Sequence, residues 1–345
     1  MKFLEVKQYL QEKKLDAIVL FSNHPAFKYF TRGGFEHGIM FLTKKNNYLF
    51  LSRLYNPRIE GFRVIHWRSF EKDFKSFIRK HKLRRIGVDT PELLVRQKSF
   101  LRKYFKIKKT SSFLQNLRIS KTKEEVSRIR KACNITNTIF YEIINNFKFR
   151  READILRFIK IKALELADGT AFEPIVANAR NAVIAHHEPH SRLRKGFLIL
   201  DFGVNYKGYL SDMTRTVYLG TPSKKEKRIY EKIRSIQEAC IEKAEPGLRA
   251  DKLYDYSLSL FGSDKNHFLH GLGHGIGVEI HEKPSLSPES KDVLVKGSVF
   301  TIEPGYYNNK TGVGIRIEDD IYLGTKKKVL TKPTKELICL QPSYL

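Results

Sequence analysis

Two aspartates, Asp201 and Asp212, lie in the segment DFGVNYKGYLSDMTRT, residues 201–216. A short apolar run precedes Asp201, and residues 213–219 alternate with the two-residue period of a half-buried strand, which predicts a β-hairpin. Residues 205–208 suit its turn, because Asn and Gly are favoured at the first and fourth places. With residues 206 and 207 at the tip, Asp201 is expected to face Asp212 across the two strands.

Two facing carboxylates repel each other unless they are protonated or bridged by cations. Opposed residues on paired strands have Cβ atoms about 4.5 to 5.5 Å apart. Carboxylates at that separation can straddle two metal ions about 3.5 to 4 Å apart, one chelating and the other bridging. The pair therefore indicates a two-metal site. The alternative from these residues alone is structural, with one Asp capping a turn or pairing with Arg215.

The elements that position this hairpin are predicted from two similar helix starts. Residues 122–125 (TKEE) and 223–226 (SKKE) both have the capping-box pattern, in which Thr or Ser and the Glu three residues later satisfy each other's backbone N–H groups. Apolar spacing continues each start into a pair of helices. The predicted helices are 122–145, 152–167, 223–245 and about 250–260.

A second pair of strands follows the second pair of helices. Residues 300–305 (FTIEPG) and 314–323 (GIRIEDDIYL) carry Glu303 and Glu318. The capping boxes are 101 residues apart, and Asp201 and Glu303 are 102 residues apart, which indicates an internal duplication. The two halves could then place four carboxylates at a shared centre.

A glycine-rich segment, HGLGHGIGVEIHE, occupies residues 270–282 between the two strand pairs. Its glycines allow the backbone to pass close to a ligand or a metal. A histidine from this segment can supply the nitrogen ligand that a cluster of carboxylates lacks. Neither dinucleotide-binding nor P-loop spacing is present.

The first part of the chain has a different pattern. Residues 1–112 alternate short apolar runs with helical stretches, which predicts a separate α/β domain, followed by a second domain over residues 113–345. Strands are expected at 16–22, 38–43, 48–52 and 84–89. Helices are expected in the charged N-terminus and near 69–82 and 92–105.

The formal net charge of +27 raises nucleic acid or an anionic membrane as partners. Residues 1–120 hold 27 Lys and Arg against nine Asp and Glu, and the excess is scattered without an RNA-binding or zinc-finger signature. A solvated basic surface is therefore favoured over nucleic-acid binding. The N-terminus is too charged for a signal peptide, and no apolar run reaches membrane-spanning length. Three widely spaced cysteines favour a reducing cytoplasm.

Four of these segments together resemble the creatinase, aminopeptidase P and prolidase family, which shares the pita-bread fold with methionine aminopeptidase. The resemblance extends from about residue 117 to the C-terminal region, and more loosely over the N-terminal domain through LDAIVLFSNHPAFKYFTRG. It implies a pita-bread catalytic domain preceded by an accessory domain. The matching segments are DFGVNYKGYLSDMTRT, HGLGHGIGVEIHE, TIEPG and GIRIEDD.

The resemblance implies five metal ligands that hold two divalent ions. Four carboxylates and one imidazole suit Mn²⁺ or Co²⁺ best, with Zn²⁺ and Fe²⁺ as alternatives. A metal-bridged hydroxide would attack the scissile carbonyl, and one ligand, Glu303, would also carry the proton to the leaving nitrogen. The implied ligands are Asp201, Asp212, His274, Glu303 and Glu318.

Residues around the reacting peptide are also implied. The family pattern aligns its catalytic histidine with His186, and the adjacent His187 is the alternative. His281 would contact a substrate carbonyl or the product carboxylate. Arg316 lies two residues from Glu318 on one strand, so it can point into the site to bind substrate. A salt bridge between Arg316 and Glu318 is the structural alternative.

The resulting prediction is a cytoplasmic, homodimeric metallo-exopeptidase, either an Xaa-Pro aminopeptidase or an Xaa-Pro dipeptidase. Its substrates would be peptides with proline at the second position. Two alternatives stay open at this point. One is an activity like that of methionine aminopeptidase, and the other is a non-catalytic pita-bread protein that binds a partner through its basic N-terminal domain.

Overall fold

The computed structural model describes residues 2–32 and 35–344. The chain divides into two compact units, residues 1–118 and residues 119–345. The boundary expected between residues 112 and 113 falls inside a helix, Ser111–Ile119, which carries the chain from the last strand of the first unit to the division.

The first unit is a six-stranded mixed sheet with helices. The strand order is β4-β3-β2-β1-β5-β6, with β1–β2 and β2–β3 antiparallel and the other neighbours parallel. Its strands are β1 (Ala17–Phe21), β2 (Gly38–Thr43), β3 (Asn47–Leu51), β4 (Phe62–His66), β5 (Arg85–Val88) and β6 (Lys106–Lys109). Its helices are α1 (Phe3–Glu12), α2 (Pro25–Thr31), α3 (Phe70–His81), α4 (Val95–Arg102) and α5 (Ser111–Ile119).

Sequence patterns predicted the central strands of this sheet and missed its two edges. β1, β2, β3 and β5 are apolar runs that are almost entirely buried. The edge strands β4 and β6 are only partly buried, and β6 reads KIKK with exposed lysines. Charged edge strands are typical of sheets that avoid pairing with other chains. The same charges remove the apolar alternation by which a strand is recognised in a sequence.

The helices of the second unit begin at the two predicted capping boxes. Glu125 donates its N–H to Thr122 Oγ1 (3.3 Å) and accepts from the Thr122 N–H (2.9 Å). Ser223 and Glu226 make the same reciprocal pair at 3.2 and 2.7 Å. The helices are α6 (Lys123–Asn145), α7 (Glu152–Leu166), α8 (Lys224–Lys243) and α9 (Ala250–Phe261), as the spacing predicted.

The strands of the second unit form two larger antiparallel sheets and two short ribbons. The orders are β19-β11-β8-β7 and β13-β12-β14-β17-β18, and the ribbons are β9-β10 and β15-β16. Among the described strands of this unit, only β19 and β11 pair in parallel. The strands are β7 (Ile175–Asn178), β8 (Gly196–Asp201), β9 (Asn205–Tyr206), β10 (Tyr209–Leu210), β11 (Thr214–Leu219), β12 (Gly273–Gly275), β13 (Glu282–Leu286), β14 (Val299–Ile302), β15 (Gly305–Asn308), β16 (Val313–Arg316), β17 (Asp319–Leu323), β18 (Lys327–Val329) and β19 (Cys339–Leu340).

The first hairpin forms, but the predicted register is wrong by two residues. Asp201 pairs with Thr214 rather than with Asp212. The turn is Lys207-Gly208, and both residues have positive φ, 51° and 77°, as a type I′ turn requires. Lysine rarely adopts this conformation, so the sequence indicated a turn in this segment but placed its tip one residue too early. Because the shift is an even number of residues, Asp212 still shares the face of Asp201.

The predicted duplication is visible in how helices cover sheets. α6 and α7 share one apolar cluster with β8 and β11. α8 and α9 share another with β14 and β17. Each half therefore buries the apolar faces of two helices against an antiparallel sheet, and each sheet brings carboxylates to one end of its strands.

No helix in the described ranges has the length and apolar character needed to cross a bilayer. Cys133 and Cys240 are buried, Cys339 is exposed, and all three are free thiols. Packing and hydrogen bonds therefore hold the second unit together without a disulfide among these cysteines.

Replacing the Ser223 cap tests the second capping box. Ser223→Ala removes the acceptor of the Glu226 N–H, and we expect the free energy of unfolding to fall by about 1 kcal/mol. Ser259→Ala is the matched control, because Ser259 is exposed in α9 and its loss should change stability by less than about 0.5 kcal/mol. Urea unfolding measures both. Equal effects of the two substitutions would contradict the capping role.

Candidate active site

The five residues that the sequence predicted as metal ligands lie on or beside the central strands of the two sheets. The first half contributes Asp201 at the end of β8 and Asp212 between β10 and β11. The glycine-rich segment contributes His274 in β12. Glu303 follows β14, and Glu318 lies between β16 and β17.

The structure brings these side chains together. One ligand atom from each of Asp212, His274 and Glu318 lies within 4.8 Å of the other two, close enough to hold one ion. His274 Nε2 is 3.4 Å from Glu303 Oε1 and 3.7 Å from Asp212 Oδ2. Asp201 is close enough to raise the pKa of Asp212, Glu303 and Glu318 by charge repulsion.

Neighbouring polar groups occupy only part of each carboxylate. Thr214 Oγ1 donates to Glu318 Oε2 at 2.7 Å, and Arg316 Nη2 donates to Asp201 Oδ2. The opposite oxygens, Asp201 Oδ1 and Glu318 Oε1, and also Asp212 Oδ1, are buried without a hydrogen-bond donor. Buried acceptors without donors are rare in folded proteins. This oxygen-rich set with one imidazole fits hard or borderline divalent cations.

Electrostatics indicate the same need for cations. Burial and repulsion by the neighbouring carboxylates raise the pKa of Asp212 and of Glu318 well above their usual range. Burial, with repulsion by Asp201, raises the pKa of Glu303 to about 8. Without a cation these groups can be buried only if they bind protons.

His274 presents a neutral ring nitrogen to the carboxylates. Burial, with the nearby His281, lowers its pKa to about 3, so the ring is neutral at physiological pH. Its Nδ1 lies 3.2 Å from the Gly275 carbonyl oxygen, an arrangement that leaves Nε2 facing the carboxylates. Gly275 is required by close backbone approach, because a Cβ there would lie 2.1 Å from the Lys283 carbonyl oxygen. Gly275 therefore lets the backbone of the neighbouring strand β13 approach closely.

Arg316 is buried and directed at Asp201. Its guanidinium pairs with Asp201 rather than with Glu318, so the structural alternative from the sequence named the wrong carboxylate. Arg316 also donates to Tyr307 Oη at 2.6 Å, and Tyr307 Oη lies 2.9 Å from His270 Nε2. Arg215, the other arginine considered, pairs with Asp319 rather than with an aspartate of the first hairpin.

The adjacent histidines have different surroundings. His187 is buried, with Nε2 2.9 Å from Glu152 Oε2. His186 is exposed and lies near enough to His281 to contribute to the lowering of its pKa, which burial dominates. The ring of His281 packs edge-on against His274 with centroids 4.3 Å apart.

A second group of potential ligand atoms consists of Glu152, His187 and His190, also within 4.8 Å of one another. Its carboxylate differs from those of the first site, because both oxygens of Glu152 accept hydrogen bonds from N–H groups. This carboxylate therefore has no oxygen directed at open space.

Several residues of the site were missed from the sequence. Thr214 and Thr301 contact Glu318 and Glu303, and strand alternation could have found them, since each lies two residues from a predicted ligand. Tyr307 carried no local signal. Its role depends on the pairing of β15 with β16, which brings it to Arg316.

Comparison with known proteins gives a consistent result. The sequence pattern of metallopeptidase family M24 matches residues 127–325, and that of the creatinase/prolidase N-terminal domain matches residues 4–120. The chain is 36% identical to the Xaa-Pro dipeptidase of Pyrococcus furiosus over 241 residues, covering 67% of this chain and 68% of the relative. It is 28% identical to that of Pyrococcus horikoshii over 348 residues, 98% of each chain. The structure of an Xaa-Pro dipeptidase from Bacillus anthracis superposes with a TM-score of 0.92 at 27% identity, covering 98% of this chain and 99% of that one.

The raised carboxylate pKa values predict how pH affects the protein when metal is removed. Glu303 has an ordinary pKa of 4.5 and a folded-state pKa of about 8. Its contribution to stability is therefore complete below pH 4.5 and is lost as pH rises through 8. We expect the melting temperature in chelator to fall over this range, and added Mn²⁺ to restore it. A melting temperature that does not respond to Mn²⁺ at pH 8 would contradict the metal site.

Proposed function

Because the chain belongs to metallopeptidase family M24, we propose that it is an Xaa-Pro peptidase, which releases an N-terminal residue from a following proline. The observation that carries this proposal is the convergence of four carboxylates and His274 around buried oxygens without donors. The names of the relatives supply the substrate class.

The residues that would hold two divalent ions are Asp201, Asp212, His274, Glu303 and Glu318. When bound, such ions supply a hydroxide nucleophile near neutral pH and polarise the scissile carbonyl. We propose that both ions are Mn²⁺ or both are Co²⁺, because four of the five ligands are carboxylates and none is a thiolate.

The surrounding side chains have proposed roles in handling the substrate. Glu303, within 3.9 Å of both His270 and His274, would carry a proton from the nucleophile to the leaving nitrogen. His186 and His281 would donate hydrogen bonds to substrate oxygens, since both are exposed, His281 packs against His274, and His186 lies near His281. The location of His187 against Glu152 favours His186 as the histidine that meets substrate.

Arg316 has a proposed role that differs from direct substrate binding. Its nitrogens already contact Asp201, Tyr307 and Thr214. It would therefore fix the orientation of Asp201 and offset part of the negative charge, while its Nη1 also donates to the Ala185 carbonyl oxygen.

The remaining features are proposed from the family resemblance. Residues 1–118 would form the accessory domain, residues 119–345 the catalytic domain, and two chains would form a homodimer in the cytoplasm. Peptides with proline second would be the substrates. No nucleic-acid partner is proposed, despite the net charge of +27.

Activity and metal content test the function together. With Mn²⁺ or Co²⁺, the protein should release the first residue from Ala-Pro or from an Xaa-Pro tripeptide. Asp212→Ala removes a side chain shared by the ligand cluster, so we expect activity to fall by at least about 10³-fold and bound metal to decrease. Product release measured by chromatography and metal content by mass spectrometry give the result.

The control is Asp255→Ala, which removes an exposed aspartate that pairs with Lys252 on α9. This variant should keep both activity and metal. Cleavage of a Met-Ala peptide alone would overturn the proline specificity in favour of methionine aminopeptidase activity. Metal binding without cleavage of any peptide, together with salt-sensitive RNA binding, would favour the non-catalytic alternative.

His186→Ala tests the role of the exposed histidine. Because His186 is proposed to contact substrate and not metal, we expect kcat to fall about 10²-fold or more while metal content stays unchanged. Steady-state kinetics on an Xaa-Pro peptide and metal analysis measure the two quantities. Loss of metal in this variant, or an unchanged kcat, would contradict the assignment.

A further inference from the structure

Glu152 is a buried carboxylate that belongs to no metal ligand set proposed above. It is the first residue of α7, is fully buried, and accepts hydrogen bonds from five N–H groups rather than from a Lys or Arg side chain in the described part of the chain. The donors are Asn178 N (2.8 Å) and Asn181 Nδ2 (3.0 Å) on Oε1, and His187 Nε2 (2.9 Å), His190 N (3.2 Å) and Ser191 N (2.9 Å) on Oε2.

These donors lie on both sides of His186 in the sequence. Oε1 is bound by residues 178 and 181, before the histidine, and Oε2 by residues 187, 190 and 191, after it. One carboxylate therefore ties together both ends of the segment that carries His186. The backbone reinforces the closure, because Glu152 N donates to the Ser191 carbonyl oxygen at 3.0 Å.

The same segment faces the metal ligands on its other side. The Ala185 carbonyl oxygen accepts a hydrogen bond from Arg316 Nη1 at 3.4 Å, and Arg316 holds Asp201. His187 turns inward to Glu152, while its neighbour His186 is exposed and lies near His270 and His281. The two adjacent histidines therefore have different surroundings, His187 at Glu152 and His186 near His270 and His281.

The hydrogen bonds to Glu152 argue against a metal ion bound by Glu152, His187 and His190. A cation at Glu152, His187 and His190 would have to displace N–H donors from both oxygens and would face their positive ends. Burial alone would raise the pKa of Glu152, yet hydrogen bonds from Asn181 and His187 hold it below its usual value, so the carboxylate is ionised and accepts only.

We propose that Glu152 is a positioning residue, whose ionised side chain clamps residues 178–191 so that His186 is held toward the peptide being cleaved. This inference rests on the proposed Xaa-Pro peptidase function. Glutamine has the same shape but presents an NH₂ group on one side. The amide would therefore oppose either the donors before His186 or those after it, leaving that end of the segment unpaired.

A double-mutant cycle tests the clamp in the metal-loaded enzyme. For Glu152→Gln we expect kcat/KM on an Xaa-Pro peptide to fall about 100-fold with metal content unchanged, because small displacements of an active-site group have effects of that size. In the Glu152→Gln/His186→Ala double variant, activity should match that of His186→Ala alone within about twofold. The proposal would be overturned if the double variant lost activity by the product of the two single-variant losses, or if Glu152→Gln were as active as the wild type.

Two further comparisons separate positioning from general destabilisation. Glu226→Gln alters a carboxylate near the start of a different helix, in the α8 capping box, and should lower stability without changing kcat/KM. His187→Gln keeps an N–H donor for Glu152 and should retain activity, whereas His187→Leu should reproduce the Glu152→Gln defect. If Glu152→Gln fails to fold, the His187 pair decides. Equal activity of the two His187 variants would overturn the proposal.

Amide hydrogen exchange gives a readout that is independent of catalysis. The N–H groups of Asn178, His190 and Ser191 should exchange faster in Glu152→Gln, while those of the paired strand β8 stay protected. If the wild-type protein cleaves no Xaa-Pro peptide, the proposed function fails and the exchange result still decides whether Glu152 holds the segment. Unchanged exchange at these amides would overturn the clamp itself.

Discussion

The catalytic half of this chain is organised around a group of carboxylates that cannot all be ionised and buried without cations. Burial is the largest single cause of the raised pKa at Asp212 and Glu318, and repulsion by neighbouring carboxylates adds to it. Arg316 pairs directly with Asp201, and its charge opposes the rise in pKa at Glu303 and Glu318 without preventing it. The fold therefore stores an excess of negative charge at its centre, and divalent ions are the ligands that such an excess selects.

The duplication explains how a chain builds such a centre. Each half contributes carboxylates from the end of one antiparallel sheet, and hydrogen bonds between the halves fix their separation. Glu318 N donates to the Thr214 carbonyl oxygen at 3.1 Å, and Thr216 Oγ1 donates to the Arg316 carbonyl oxygen at 2.8 Å. Arg215 adds a buried cation across the same junction through the Glu318 carbonyl oxygen. The junction of the halves and the metal-binding centre are thus one structure.

The sequence predicted much of this because the signals were local. Capping boxes, apolar spacing and strand alternation each depend on neighbouring residues, and they placed α6 to α9 closely. The hairpin register failed because Lys207 adopts a left-handed conformation that its residue type does not favour. The ion-pair partner of Arg316 was predicted wrongly for a different reason. Strand alternation correctly placed Arg316 on the same face as Glu318, and both side chains contact Thr214 Oγ1. It could not show which carboxylate of the other half would lie opposite Arg316.

Glu152 shows where reading of charged residues from sequence reaches its physical limit. A glutamate at the start of a helix is ordinarily a surface residue that interacts with the helix dipole. Here the chain returns across it, so that residues 26 to 39 positions later supply its hydrogen bonds. Glu152 and the carboxylates of the proposed metal site therefore differ in the hydrogen-bond donors around their oxygens. A carboxylate whose two oxygens both accept hydrogen bonds from N–H groups, such as Glu152, holds the surrounding chain in place. A carboxylate with an oxygen that no donor reaches, such as Asp212, can bind a metal ion.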